Sequence, residues 1–227
     1  TWSLMGLELP DPIITDACRE FNFTNEIGHG GSIRLLKNIV GLWLVQECRR
    51  AWAAQGNDYS YADLTEQATA AEPYRSVINP SDPRFLSPDD MPQRIADACH
   101  ETGQPVPETP GAIVRCALES LALLYARTLR ESEQLVGWRA DPVHIVGGGS
   151  RNGLLNQLTA DAANIRVVAG PTEATASGNV LVQAIAAGAV KDLAEARQIV
   201  RDSFDTKLFD PNPTDAIEAA RTRFDQL

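Results

Sequence analysis

Three consecutive glycines, Gly147 to Gly149, follow a short apolar segment and precede a segment with helical spacing. A glycine turn between a strand and a helix exposes unpaired N–H groups and the partial positive charge of the helix N-terminus. Because glycine has no Cβ, a ligand can approach this backbone closely. The pattern predicts that Gly147, Gly148 and Gly149 bind a nucleotide, although it matches neither G-x-G-x-x-G nor a Walker A loop. A tight turn that binds nothing stays open as the alternative.

Polar residues near the glycines extend the candidate site. Asn152 either contacts the edge of an adenine or caps the helix that follows the turn. A second glycine cluster, Gly28 to Gly31, is either a flexible loop or a lip at the phosphate end of a cleft. Asn38 lies among apolar residues and is either partly buried and hydrogen-bonded or placed for a ligand. Glu173 either complements a helix dipole or forms part of the nucleotide-side wall.

Elements in the last third of the chain must position the glycine turn. Apolar runs predict strands at 143–146 and 165–169, and helical spacing predicts helices at 152–163, 175–187, 192–203 and 214–226. Strand and helix alternate, so we expect a βαβ unit with parallel strands and an α/β fold.

The first two thirds of the chain are predicted to contain two strands followed by helices. Strands are expected at residues 1–8 and 21–26, and one long helix at Ile33–Ala54. That helix would hold Asn38 and Gln46 on successive turns, about 80° apart around its axis. Further helices are expected at 60–71, where Ser60 and Asp63 resemble a capping box, at 88–101, and at 110–135 after Thr109 as its cap.

Composition and charge restrict the partners. The chain has 227 residues with a net charge of −10, and no Lys- or Arg-rich run. Nucleic-acid binders usually present a basic face, so no nucleic-acid partner is expected. No apolar stretch reaches the roughly 18–20 residues of a membrane span and no secretory signal is visible, so we expect no membrane partner and a cytoplasmic location.

Four cysteines are present without a Cys-x-x-Cys pair, and the three histidines are scattered. This spacing predicts no metal site. Cys99 and Cys116 lie near facing ends of two predicted helices and could be close enough to pair under oxidation. Buried thiols in a reducing cytoplasm are the other interpretation.

Several segments together resemble the FGGY carbohydrate kinases of the actin-like ATPase superfamily. The similarity runs in order from residue 1 to about residue 213. It is carried by these segments: Thr1-Trp-Ser-Leu-Met-Gly, Asn22-Phe-Thr-Asn-Glu, Leu36-Lys-Asn-Ile-Val-Gly-Leu-Trp-Leu, Ile78-Asn-Pro, His144-Ile-Val-Gly-Gly-Gly and Leu154-Leu-Asn-Gln-Leu.

The resemblance implies a fold and a domain boundary. Residues 1–227 would form the C-terminal, nucleotide-binding lobe with a ribonuclease H-like mixed sheet flanked by helices. A helical insertion would span about residues 60–110. The N-terminal lobe would be absent, and the start at Thr1 rather than Met suggests a fragment of a longer protein.

The same resemblance implies an activity and its residues. The whole kinase would transfer the γ-phosphate of ATP, with Mg²⁺, to the 1-hydroxyl of L-rhamnulose. Thr1 matches a threonine that contacts ATP phosphate, Gln46 and Gly148 match nucleotide-binding positions, and Asn38 matches a ligand-contacting asparagine at the lobe interface. The catalytic aspartate would lie upstream, so no catalytic residue is assigned here. A non-catalytic nucleotide-binding or interaction domain, or a kinase for fuculose or xylulose, stays open.

Overall fold

The computed structural model describes residues 2–227, which form an α/β fold of six strands and nine α-helices. The strands are β1 Trp2–Leu9, β2 Thr24–Ile27, β3 Ile33–Val40, β4 Val143–Ile145, β5 Val167–Ala169 and β6 Lys207–Phe209. The helices are α1 Asp16–Glu20, α2 Trp43–Ala54, α3 Tyr61–Ala70, α4 Met91–Glu101, α5 Pro110–Val136, α6 Gly153–Ala163, α7 Ala174–Ala186, α8 Leu193–Ser203 and α9 Asp215–Phe224.

The strands of this part of the chain form two three-stranded sheets. The first has the order β1-β3-β2 and is antiparallel throughout. The second has the order β4-β5-β6, in which β4 is parallel to β5 and β6 runs antiparallel. Because α6 connects the parallel pair, the predicted βαβ unit and the mixed sheet are both confirmed.

The predicted long helix at Ile33–Ala54 is wrong. Residues Ile33–Val40 form β3, the central strand of the first sheet, and a helix begins only at Trp43. A short run with many apolar residues fits a strand as well as a helix, and backbone pairing on both sides favours the strand. Asn38 and Gln46 therefore lie on different elements.

Most of the other predicted elements are confirmed with small shifts at their ends. The Ser60–Asp63 capping box opens α3, and Thr109 caps α5 with Pro110 in its first turn. The second predicted strand begins late, at Thr24, because the chain leaves α1 after Glu20 through a turn in which Asn22 has a φ of +58°. The segment assigned to a helical insertion contains α3 and α4 with a proline-rich loop between them, and its boundaries stay a prediction.

Helix α5 is the centre of the core. Buried side chains surround it for most of its length, and it packs against α2, α3, α4, α6, α9 and β1. Leu155 and Leu158 of α6 belong to the same core cluster. This packing fixes α6 and with it the glycine turn at its N-terminus. Among residues 2–227, no helix combines the length and the apolar character that crossing a bilayer requires.

Two thiols meet where α4 packs on α5. The Sγ atoms of Cys99 and Cys116 are 3.9 Å apart, and both cysteines are buried and free. Their predicted proximity is confirmed. The hydrogen bond from Cys116 lowers the pKa of Cys99, and the same hydrogen bond together with burial raises the pKa of Cys116.

We expect oxidative refolding to join Cys99 to Cys116. A disulfide requires the sulfurs to approach to about 2.05 Å, a small movement from their present distance. The bond would close a loop between residues 17 positions apart, which stabilises by about 3 kcal/mol through the unfolded chain. Intact mass and urea unfolding, with and without reductant, measure both effects. Cys99→Ser is the control, and a disulfide that instead used Cys18 or Cys48 would contradict the expectation.

Candidate nucleotide site

The glycine turn leaves β4 with a backbone conformation that requires glycine. Gly147 has φ of +79°, in the left-handed region that side chains rarely adopt. Its N–H group donates to the carbonyl oxygen of Pro171 at 3.0 Å. The Ser150 Oγ donates back to the Gly147 carbonyl oxygen at 2.7 Å. One hydrogen bond thus closes the turn internally, and the other joins the turn to the segment that follows β5.

Gly148 and Gly149 face open space. They begin a 3-10 turn, Gly148–Arg151, and a Cβ built on either one would meet no atom of residues 2–227 within 4 Å. Their N–H groups stand at the start of the turn, where no helical partner exists, and they donate to no other backbone group of the described chain. The arrangement therefore offers two N–H donors on an accessible backbone, which suits an anionic group such as a phosphate.

Asn152 caps α6. Its Oδ1 accepts a hydrogen bond from the backbone N–H of Leu155 at 2.9 Å. The capping interpretation of Asn152 is confirmed, and its contact with a nucleotide stays a prediction. Such a contact would use the Nδ2 group, because Oδ1 already accepts the hydrogen bond that caps the helix.

Asn156 of α6 stabilises the glycine turn through a hydrogen bond. The sequence analysis did not predict this role. The residue is fully buried, and its Nδ2 donates to the Ser150 carbonyl oxygen at 2.9 Å. Its Oδ1 is buried without a hydrogen-bond partner in the part of the chain that the structure describes. The signal available beforehand was weak: two amides, Asn156 and Gln157, stand between leucines in the segment Leu154–Leu158.

We expect Asn156→Asp to loosen the glycine turn. The substitution keeps the shape but replaces the donor with a carboxylate that faces the Ser150 carbonyl oxygen, so a buried hydrogen bond becomes a repulsion. The expected cost is about 2 kcal/mol of unfolding free energy and about a tenfold weaker affinity for Mg-ADP. Urea unfolding and calorimetry measure the two quantities. Asn179→Asp, on the exposed side of α7, is the matched control, and equal effects in both variants would refute the role.

The remaining site residues lie on other elements. Asn38 is exposed on β3, opposite Leu4 of β1, so it is not the partly buried residue that the alternative described. Gln46 lies in the first turn of α2, half-buried. Glu173 is exposed and precedes α7 without capping it through its side chain. The expected contact of Thr1 lies outside the described residues.

The described residues do not provide a metal site of their own. No group of three or more His, Cys, Asp or Glu side chains in residues 2–227 could hold a metal ion. The glycine turn has donors and no carboxylate cluster, which fits the anionic part of a ligand. A magnesium ion at this site would therefore be held chiefly by the phosphates of a nucleotide.

The fold and the turn define a class: an α/β domain whose glycine turn, between a parallel strand and a capped helix, is open to an anionic ligand. The chain belongs to the FGGY family of carbohydrate kinases, since the model of the C-terminal domain of that family matches residues 1–187. This match confirms the resemblance to the FGGY family that the sequence segments carried.

Curated relatives place the chain within that family. It is 50% identical over 224 residues to a rhamnulokinase of Bacteroides thetaiotaomicron, covering 99% of this chain and 45% of the relative. It is 47% identical over 215 residues to a rhamnulokinase of Bacillus subtilis, covering 95% of this chain and 44% of the relative. The chain thus spans less than half the length of the curated relatives it matches.

Solved structures show the same fold at low identity. A Plasmodium falciparum glycerol kinase with ADP matches with a TM-score of 0.67 at 14% identity, covering 98% of this chain and 44% of that one. A ligand-bound xylulose kinase from Lactobacillus acidophilus matches with a TM-score of 0.65 at 17% identity, with the same coverage. The fold is therefore the actin-like ATPase fold of these sugar kinases, as expected from the sequence.

Proposed function

We propose that this chain is the nucleotide-binding lobe of a cytoplasmic kinase that transfers the γ-phosphate of ATP to the 1-hydroxyl of L-rhamnulose. The observation that carries the proposal is the open backbone at Gly148 and Gly149, which stands at the carboxyl end of β4. The relatives are named rhamnulokinases, which supports L-rhamnulose as the sugar. The glycerol kinase structure contains ADP, which supports ATP as the phosphate donor.

Each residue has a distinct task in this proposal. The N–H groups of Gly148 and Gly149 bind phosphate oxygens, and Gly147 gives the turn its shape. Asn152, Gln46 and Thr1 complete the nucleotide contacts. Asn38 lies on another element and is assigned to the sugar side. Magnesium bound to the nucleotide would offset negative charge on the phosphates.

The proposed kinase needs two lobes for chemistry. Phosphoryl transfer depends on positioning and on charge neutralisation more than on covalent chemistry by the protein. A carboxylate must also accept the proton of the attacking hydroxyl. In this proposal that carboxylate, the catalytic aspartate, belongs to the part of the kinase that this chain does not span. The chain alone therefore binds nucleotide and does not turn over.

Two measurements test the proposal. Calorimetry with Mg-ADP on this chain should show binding at one site. A coupled assay of ADP formation should show no L-rhamnulose-dependent rate for the chain alone, and a rate for the full-length kinase that contains it. Turnover by the chain alone would refute the assignment of the catalytic base.

The same assay decides between the two alternatives. L-fuculose and D-xylulose serve as competing substrates, and a preference for either one would assign the kinase to a related ketose. Nucleotide binding without turnover in the full-length protein would favour a non-catalytic domain.

A further inference from the structure

A cavity of about 340 Å³ lies between α5, α6 and α9, away from the glycine turn. It is found at the C-terminal end of α6, whose N-terminus carries the turn. An 11-residue helix separates the two places by about 16 Å. The lining of the cavity includes Arg130, Arg139, Arg221, Glu133, Glu218 and residues 162–165.

Both carboxylates of the cavity are already engaged. Glu218 accepts hydrogen bonds from Arg221 Nη1 on both of its oxygens, at 2.8 and 2.7 Å. Glu133 accepts from the backbone N–H of Ala140 at 3.0 Å through Oε1. In the described chain only Glu218 is therefore paired with a cation, and the lining as a whole, with three arginines and two glutamates, has one net positive charge.

Two of the cavity's arginines, Arg130 and Arg139, are not paired directly with a carboxylate of the described chain. Within residues 2–227 neither forms a hydrogen bond or an ion pair, and Arg130 is half-buried. Burial lowers the pKa of Arg130, and the cations Arg221 and Arg127 lower it further, whereas Asp225 and Glu131 act in the opposite sense. Asp225 and Glu131 offset only part of the cost of burying this charge, because neither forms a hydrogen bond with the Arg130 guanidinium, so a further anion beside it would be favourable.

Hydrogen bonds to helix termini do not use all the guanidinium donors of the arginine cluster, which consists of Arg130, Arg139 and Arg221. Arg221 does bind the C-terminal end of α6, because its Nη2 donates to the Ala162 carbonyl oxygen. Its Nε, however, is buried without a partner in the described chain. Arg130 makes no comparable contact with a helix terminus. The unused guanidinium donors of Arg130 and Arg139 thus line one cavity in a chain whose net charge is −10.

We propose that this cavity binds a small phosphate-bearing anion, either inorganic phosphate or a phosphate monoester of a few carbon atoms, with Arg130 as its principal contact. Planar guanidinium groups match the geometry of phosphate oxygens and bind them through two parallel hydrogen bonds. A volume near 340 Å³ lies at the lower end of the range for small-molecule sites, which favours a small metabolite over a nucleotide. The proposal goes beyond the kinase function and does not rest on it.

Calorimetry at constant ionic strength tests the proposal with three probes: inorganic phosphate, glycerol 3-phosphate and acetate. Phosphate or glycerol 3-phosphate should bind saturably at one site in the cavity, and the tighter of the two identifies the free ion or the monoester as the source. Arg130→Met should weaken that binding by about tenfold or more. Arg19→Met, which removes a side chain that is 80% exposed on α1, should leave it unchanged.

A second readout separates binding from folding. Phosphate that binds only the folded state raises the unfolding temperature, so the increase should be reduced in Arg130→Lys, which keeps the charge without the planar fork, and lost in Arg130→Met. Gly148→Val should retain the binding, because its site lies at the other end of α6. The proposal is overturned by no saturable binding up to about 20 mM, by equal affinity for acetate, by an unaffected Arg130→Met variant, or by loss of the binding in Gly148→Val.

Discussion

Replacing Gly148 by valine is expected to reduce the affinity for Mg-ADP by about 100-fold or more, because two charge-assisted hydrogen bonds from the backbone would be lost. The branched side chain would fill the space next to the N–H groups of Gly148 and Gly149. The same space is empty of protein atoms in the described chain, since a Cβ at Gly148 meets nothing within 4 Å. The backbone there is not in the left-handed region either.

The fold should therefore tolerate Gly148→Val, which makes the result specific for the ligand. Unfolding free energy should stay within about 0.5 kcal/mol of the parent. Gly147→Ala behaves differently, because its φ of +79° costs a side chain about 1–2 kcal/mol. Ala53→Val, on the exposed side of α2, is the control for added bulk. Unchanged ADP binding in Gly148→Val would rule out the glycine turn as the nucleotide site.

Removing the Glu119 side chain is expected to cost about 3–5 kcal/mol of unfolding free energy at neutral pH. Glu119 is fully buried in α5, and it accepts from Arg115 Nε at 2.7 Å and from the backbone N–H of Tyr74 at 2.8 Å. Arg115 also donates to the carbonyl oxygens of Ala68 and Thr69. Glu119→Ala would leave a buried cation and a buried N–H group without this acceptor. Urea unfolding measures the loss, and Glu72→Ala, in an ion pair whose carboxylate is 68% exposed, should cost under about 1 kcal/mol.

The cost of Glu119→Ala should also depend on pH. Burial raises the pKa of Glu119 from 4.5 to about 7, against the opposing effect of Arg115. A raised pKa means that the folded state binds the proton more tightly than the unfolded chain does. The resulting stabilisation is complete below the unfolded pKa and is lost as the pH rises through about 7, an effect of about 3 kcal/mol. The cost should therefore be larger at about pH 5.5 than at about pH 8, and an equal cost at both would show that Glu119 does not titrate with folding.

Local signals predicted the part of the site that is contiguous in the chain. A short apolar strand, three glycines and a capping asparagine follow one another, and each has a conformational preference that acts over a few residues. The structure confirms β4, the turn, the cap at Asn152 and α6 in that order. Caps also predicted the starts of α3 and α5, because a side chain three residues away satisfies the first N–H groups.

Pairing between distant segments explains what local signals missed. The Ile33–Val40 segment has apolar spacing that fits a helix, and it becomes a strand because β1 and β2 supply hydrogen bonds on both of its edges. That change moves Asn38 to the surface of a sheet, away from the helix that carries Gln46. Local preference is worth only tenths of a kcal/mol per residue, so partners far along the chain can override it.

Side-chain convergence is likewise a property of packing rather than of spacing. Cys99 meets Cys116 where two helices pack, whereas Asn156 reaches the carbonyl oxygen of Ser150, six residues before it, from the first turn of α6. The cluster of Arg130, Arg139 and Arg221 forms because α5, the loop after it and α9 enclose one cavity. The sequence by itself determines the turn, its cap and the βαβ unit, because these features depend on residues that are close together in the chain. The strand at Ile33–Val40 and the arginine cavity arise from contacts between segments that are distant in the chain, which exist once the core around α5 has formed.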